Sequence, residues 1–126
     1  MEVRSRADAE PFTTLDGSQI RVLLDARLGG AAKQSLAEAT LAPGEATARH
    51  YHARTEEIYV VLAGSGEMEV EGERRSVRSG DAILIPAGAR HQIRAAAAAA
   101  AAELRFLCCC APPYADEDTF FEEEDR

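Results

Sequence analysis

The chain has 126 residues, 22 acidic and 14 basic side chains, a net charge of −8 and three cysteines. That length suits one domain with a real core. No apolar run is long enough to span a membrane as a helix, and no basic patch marks nucleic acid or anionic lipid as a partner.

The first ten residues, MEVRSRADAE, are polar and lack the apolar stretch of a secretion signal, so a cytoplasmic location is expected. Cys108, Cys109 and Cys110 are adjacent and odd in number, which fits a reducing compartment and not a disulfide framework. Turn signals recur at Asp16-Gly17, Gly29-Gly30, Pro43-Gly44, Gly64-Ser65-Gly66, Glu71-Gly72, Ser79-Gly80 and Pro86-Ala87-Gly88. Between them, short β-branched or alternating stretches predict strands at Gln19–Leu24, Gln34–Leu41, Glu57–Leu62, Glu67–Val70, Ala82–Ile85, His91–Arg94 and Leu104–Cys110. No amphipathic helix is evident, so the fold class is all-β, an antiparallel sandwich or barrel. Ala95 to Ala102 are eight consecutive alanines, good helix formers placed where a turn between strands is expected. From Asp116 the chain reads DEDTFFEEEDR and carries −6 of the net charge. That composition predicts a solvated, partly frayed end, with Phe120 and Phe121 able to dock on the body or on a second subunit.

All three histidines lie in two segments, HYHARTEEIYVVLAG (His50 to Gly64) and GDAILIPAGARHQI (Gly80 to Ile93). Residues two apart on a strand share a face, so His50 and His52 present both imidazoles on one side. Glu57 is at odd spacing from them and joins that face only if the chain turns between Ala53 and Glu56. His91 must arrive from a later strand. Three imidazoles and a carboxylate are good ligands for a divalent transition metal.

The spacing from Gly44 through His50, His52 and Glu57 to Gly64, and then from Gly80 through Pro86 and Gly88 to His91, resembles the two motifs of the cupin family. The resemblance implies a double-stranded β-helix, or jelly-roll, spanning residues 1–126. It would have an N-terminal arm to about residue 18 and an acidic tail from about residue 112. It also implies one divalent metal per chain held by His50, His52, Glu57 and His91, with Glu56, the rival carboxylate, facing away. Manganese or iron is expected first, with nickel, cobalt, copper and zinc possible. The family often has Asn where this chain has Ala95, which puts the local turn in question and not the metal. Gly44, Gly64, Gly80 and Gly88 fit turns that need positive φ.

Counting from Glu57, Tyr59 and Val61 face into the barrel. Ile93, Phe106 and Cys108 are expected to complete an apolar pocket with few charged groups. Tyr59, a weak candidate for catalysis, reads more readily as core. Leu104 and Cys110 also point inward, Leu107 and Cys109 outward, and the cysteines read as small buried hydrophobes. The open metal positions imply an enzyme of dioxygenase, decarboxylase or isomerase type on a small oxygen-rich metabolite. Chemistry on a small acid or dicarbonyl ranks above phosphosugar isomerisation, and the alternative is a non-catalytic small-molecule or sugar-binding module. Strands apolar on both faces point to a homodimer.

Overall fold

The structure, a computed structural model, describes residues 1–98 and 101–121. Eleven strands lie among them: β1 (Phe12–Thr13), β2 (Gln19–Leu24), β3 (Ser35–Leu41), β4 (His50–His52), β5 (Glu56–Ala63), β6 (Ser65–Val70), β7 (Glu73–Arg78), β8 (Ala82–Ile85), β9 (His91–Ala95), β10 (Leu104–Ala111) and β11 (Thr119–Phe121). All pair antiparallel, in a six-stranded sheet ordered β1-β2-β3-β10-β5-β8 and a five-stranded sheet ordered β11-β4-β9-β6-β7. The two sheets face each other as the double-stranded β-helix of a jelly roll.

Alternation decides which side chains fill the space between the sheets. On β5, Glu57, Tyr59 and Val61 are buried while Ile58 and Leu62 are each 39% exposed. Leu104 and Phe106 of β10 meet Leu41 and Ala39 of β3 in register. Met68, Val77 and Ile93 close the core from the smaller sheet. Gly44, Gly64, Gly80 and Gly88 all have positive φ. At Gly64 a Cβ would also collide with the Glu103 carbonyl, so the turn needs glycine for space as well as for backbone angle.

Strands β2 and β8 fall where the sequence predicts them, and the other predicted strands shift only at their ends. Strand β7 escapes prediction because ERRSVR buries only Val77, so it shows no period-two pattern. The alanine run forms no helix among the described residues. Ala95 ends β9 as a buried residue, Ala96 N–H donates to the Ser65 carbonyl, and Gly44 N–H donates to the carbonyls of Ala95 and Ala96. Ala99 and Ala100 lie outside the described residues.

The expectation of a solvated tail is corrected as far as Phe121. A 3-10 turn over Asp116–Asp118 leads into β11, which pairs with β4, and Asp118 and Thr119 are buried. Phe120 stacks on Tyr51, so it docks on the body of its own chain.

Candidate metal centre

Strand β4 carries His50 and His52 on its inner face, and His91 of β9 is the register partner of His50. Glu57 comes from the opposite sheet, opposite Cys110 of β10 and Ile85 of β8. The turn between His52 and Glu57 crosses from one sheet to the other. The buried Asp118 carboxylate holds it by accepting the N–H groups of Arg54 and Thr55 at 3.2 Å. Glu56 is exposed and stands away from the site.

The imidazole centroids are 4.3 Å apart for His50 and His91, 5.1 Å for His50 and His52, and 5.6 Å for His52 and His91. One nitrogen from each ring lies within 4.8 Å of the others, so the three could hold one ion. Glu57 Oε1 sits 3.4 Å from His52 Nε2 and 3.5 Å from His91 Nε2.

The outer atoms of the rings are fixed. His50 Nδ1 is 2.7 Å from the Ala48 carbonyl oxygen and His91 Nδ1 is 3.0 Å from that of Ala89. A carbonyl can only accept, so Nδ1 carries the proton in both rings and each Nε2 lone pair faces inward. His52 Nδ1 is 3.2 Å from Thr119 Oγ1, and that hydroxyl donates to the Ala115 carbonyl at 3.0 Å. Glu57 Oε2 accepts the Cys110 thiol at 3.2 Å. Glu57 Oε1 and His91 Nε2 remain buried without a hydrogen-bond partner. Buried orphan acceptors converging on one point are what a cation would satisfy, so the residues present fit a metal.

Charge supports the same assignment. Burial, then the neighbouring His91, lowers the His50 pKa to about 4, keeping it in the neutral, ligating form. Burial alone would lower His52 as well, but the adjacent Glu57 outweighs it and the net shift is upward. For Glu57, burial pushes up, yet the two imidazoles beside it hold the carboxyl well below the usual range.

A cavity of about 730 Å³ opens from the cluster to the surface. His50, His52, Glu57, Tyr59, Cys108 and Cys110 border its inner end, and Ile20, Val22, Leu36 and Ala37 form much of the apolar wall. Val61, Ile93 and Phe106 do not line it. They are fully buried in the closed core, because facing inward places a residue on the right side of a strand but not at the open end of the barrel. The expectation of few charged groups also gives way, since Asp8, Glu10, Asp16, Asp25 and Asp116 border the cavity with Arg4 and Arg27.

Tyr59 packs edge-on to His91, with centroids 6.0 Å apart, and against Phe106 at 4.7 Å. Burial and then the Glu57 charge push the Tyr59 hydroxyl and the Cys108 and Cys110 thiols up, so none of them is a base at neutral pH. Sequence reasoning missed Asp16, whose Oδ2 is 4.0 Å from His50 Nε2 while Oδ1 accepts from Ser18 N–H and Oγ. It also missed the supporting roles of Cys110 and Thr119. Asp16-Gly17 signals only a turn, and nothing in the spacing ties any of the three to the histidines.

A double-stranded β-helix with three histidines and a glutamate converging near its open end defines a cupin-type barrel. The sequence model of the Cupin domain family matches residues 37–109, and the chain belongs to that family. An uncharacterized protein of Methanocaldococcus jannaschii is 44% identical over 84 residues, covering 67% of each chain. Protein SchB of Streptomyces halstedii is 35% identical over 87 residues, covering 69% of this chain and 63% of SchB, so the match spans about two thirds of these relatives' length. Among solved structures, the polyketide cyclase RemF from Streptomyces resistomycificus superposes with a TM-score of 0.75 at 25% identity, covering 94% of this chain and 89% of RemF.

Proposed function

We propose that the chain is a metal-dependent enzyme acting on a carbonyl-bearing small molecule with an extended apolar body. His50, His52, Glu57 and His91 hold one divalent transition metal, manganese or iron first. When bound, the metal supplies Lewis-acid polarisation of a substrate oxygen. The observation that carries this reading is the cavity itself. At about 730 Å³ it has room for a multi-ring or long-chain ligand, and its wall is apolar along Ile20, Val22, Leu36 and Ala37.

The charges around the cavity count against the small acid expected from sequence. Asp8, Glu10, Asp25 and Asp116, with Asp16 further in, outnumber the two arginines and repel an anion, and no pair of basic side chains stands beside the histidines among the residues bordering the cavity. A neutral polyoxygenated ligand meets no such penalty. The resemblance to RemF, a polyketide cyclase, supports the same class. Asp16, beside His50 at the inner end of the cavity, offers an acceptor for a substrate hydroxyl or an acidic C–H proton.

Two copies pairing through the outer face of β5 and β8 are part of the proposal. Ile58 and Leu62 at 39% exposure and Leu84 at 58% leave an apolar stripe there. Three free cysteines suit a reducing cytoplasm. No helix of the described residues is long and apolar enough to cross a membrane.

The test is calorimetric titration of the Mn²⁺-loaded protein with a neutral aromatic β-diketone and, separately, with oxalate, followed by mass analysis for turnover. The reading expects one metal per chain, tighter binding of the β-diketone, and turnover that Asp16→Asn reduces. Absence of stoichiometric metal or a preference for oxalate overturns it. Tight binding with no turnover of any neutral polyketone moves the chain to a binding module.

A further inference from the structure

We propose that the C-terminal strand β11 is a positioning element of the metal centre, with Thr119 setting the tautomer and orientation of His52. The inference rests on the metal reading above but concerns residues beyond the family match, which ends at residue 109.

Strand β11 pairs with β4 in the register Thr119↔His52, Phe120↔Tyr51 and Phe121↔His50. Its first residue therefore stands directly beside a ligand. The Thr119 hydroxyl has one proton, and it goes to the Ala115 carbonyl at 3.0 Å. Its oxygen is left to accept, and His52 Nδ1 is 3.2 Å away. The relay runs from His52 Nδ1–H to Thr119 Oγ1 and from Thr119 O–H to Ala115 C=O. It leaves the His52 Nε2 lone pair on the side of Glu57 and the other two imidazoles. His50 and His91 take the same orientation from backbone carbonyls two residues before them. His52 likewise has a backbone carbonyl within reach, that of Asp118, and it alone of the three has a side-chain hydroxyl from a distant part of the sequence on Nδ1 as well.

Asp118 acts on the same part of the site. At 4% exposure its carboxylate accepts the N–H groups of Arg54 and Thr55, in the turn that carries the chain from His52 to Glu57. Phe121 closes the far end of the strand, with its ring 5.8 Å from that of His50. Two adjacent tail residues thus hold one ligand and the approach to another. Outer partners of this kind change metal affinity by roughly ten- to a hundredfold when removed.

The alternative is that β11 only covers the edge of β4. Thr119→Val separates the two, because it keeps the β-branched shape and the backbone pairing and removes only the hydroxyl. Thr119→Ser restores the hydroxyl. In metal-free full-length protein, held at a pH above the raised His52 value so that the ring is neutral, long-range ¹⁵N–¹H NMR of the imidazoles reads the His52 tautomer directly. An EPR titration with Mn²⁺ alone reads affinity, and thermal melting reports the fold.

The expected result is Nδ1–H for His52 in wild type and in Thr119→Ser, and a shifted tautomer mixture in Thr119→Val. With it goes a loss of about tenfold in Mn²⁺ affinity, recovered to within about threefold by Thr119→Ser. A wild-type tautomer and affinity in Thr119→Val overturn the proposal, as does equal loss in the Val and Ser variants. If wild type takes up no Mn²⁺ the metal reading fails, and the NMR tautomer in the metal-free protein still decides the role of Thr119.

Discussion

Acidifying the metal-free protein from pH 7 to pH 5 should destabilise it through His50. The ring is 2% exposed, and burial followed by its neighbour His91 lowers its pKa from 6.5 to about 4. Between those values the unfolded chain binds a proton that the folded chain refuses. Stability therefore falls as pH drops through this window and is unaffected by this group above it. The linkage integral gives a loss of about 2 kcal/mol at pH 5, growing to about 3 kcal/mol at pH 4. Of the other site groups, His52 acts in the opposite sense at the upper end of the window and Glu57 acts only below it. His52, raised, contributes stability that is complete below 6.5 and lost as pH rises through its folded value. Glu57, lowered, contributes stability that begins to be lost only below its unfolded value of 4.5. The assay is guanidinium unfolding followed by circular dichroism, in chelator, at pH 7, 6 and 5, for wild type and His50→Gln. Between pH 7 and pH 5 the change in wild type should be more destabilising than that in the variant by about 2 kcal/mol, the His52 contribution being common to both. The same slope in wild type and in His50→Gln refutes the assignment of a buried neutral imidazole.

Cys110→Val removes the thiol that donates to Glu57 Oε2, so Mn²⁺ affinity should fall roughly tenfold by EPR titration, while Cys110→Ser retains it. Gly66→Ala places a Cβ against the Arg94 carbonyl and 3.3 Å from Leu104 Cδ2, and should cost about 1–3 kcal/mol of unfolding free energy in denaturant titration. Asp118→Ala leaves the N–H groups of Arg54 and Thr55 without their carboxylate acceptor. It should cost about 1–3 kcal/mol, with faster hydrogen exchange at those two amides. Ala37→Leu fills the cavity wall beside Cys108; it should leave Mn²⁺ affinity unchanged and weaken binding of an aromatic β-diketone at least tenfold by calorimetry.

The candidate ligand set was legible through the two motifs that resemble the cupin family. His50 and His52 share a face by strand period, and the count from Glu57 to Gly64 separates it from Glu56. The supports were not, because they arrive through long-range pairing. Thr119 is 67 residues from His52, and Cys110 is 53 from Glu57. Strand β11 sits in a segment so acidic that composition reads as solvated, and only its pairing with β4 shows otherwise. Strand β7 fails for a different reason, since an edge strand with one buried residue carries no alternation to detect. Alternation also misled on the pocket. Period two assigned Phe106 and Cys108 to the same face of β10, which is correct, but it carries no information on depth along the barrel.

Depth is encoded instead in side-chain size, along two neighbouring strands. Reading β10 from the metal site toward the closed end, the inward residues are Cys110, Cys108, Phe106 and Leu104. Their register partners on β3 are Ser35, Ala37, Ala39 and Leu41. Both strands carry only small residues at the metal-site end and reach a large one deeper in. Where the pair is Cys110 with Ser35 or Cys108 with Ala37, the two side chains together fall short of the space between the sheets and the cavity begins. Where it is Phe106 with Ala39 or Leu104 with Leu41, the space is filled and the residues lose all contact with solvent. The cysteine run thus has a role that fits neither a disulfide nor a metal ligand. Its inward members are small, apolar and protonated, which keeps the inner end of the cavity open without placing a charge beside Glu57.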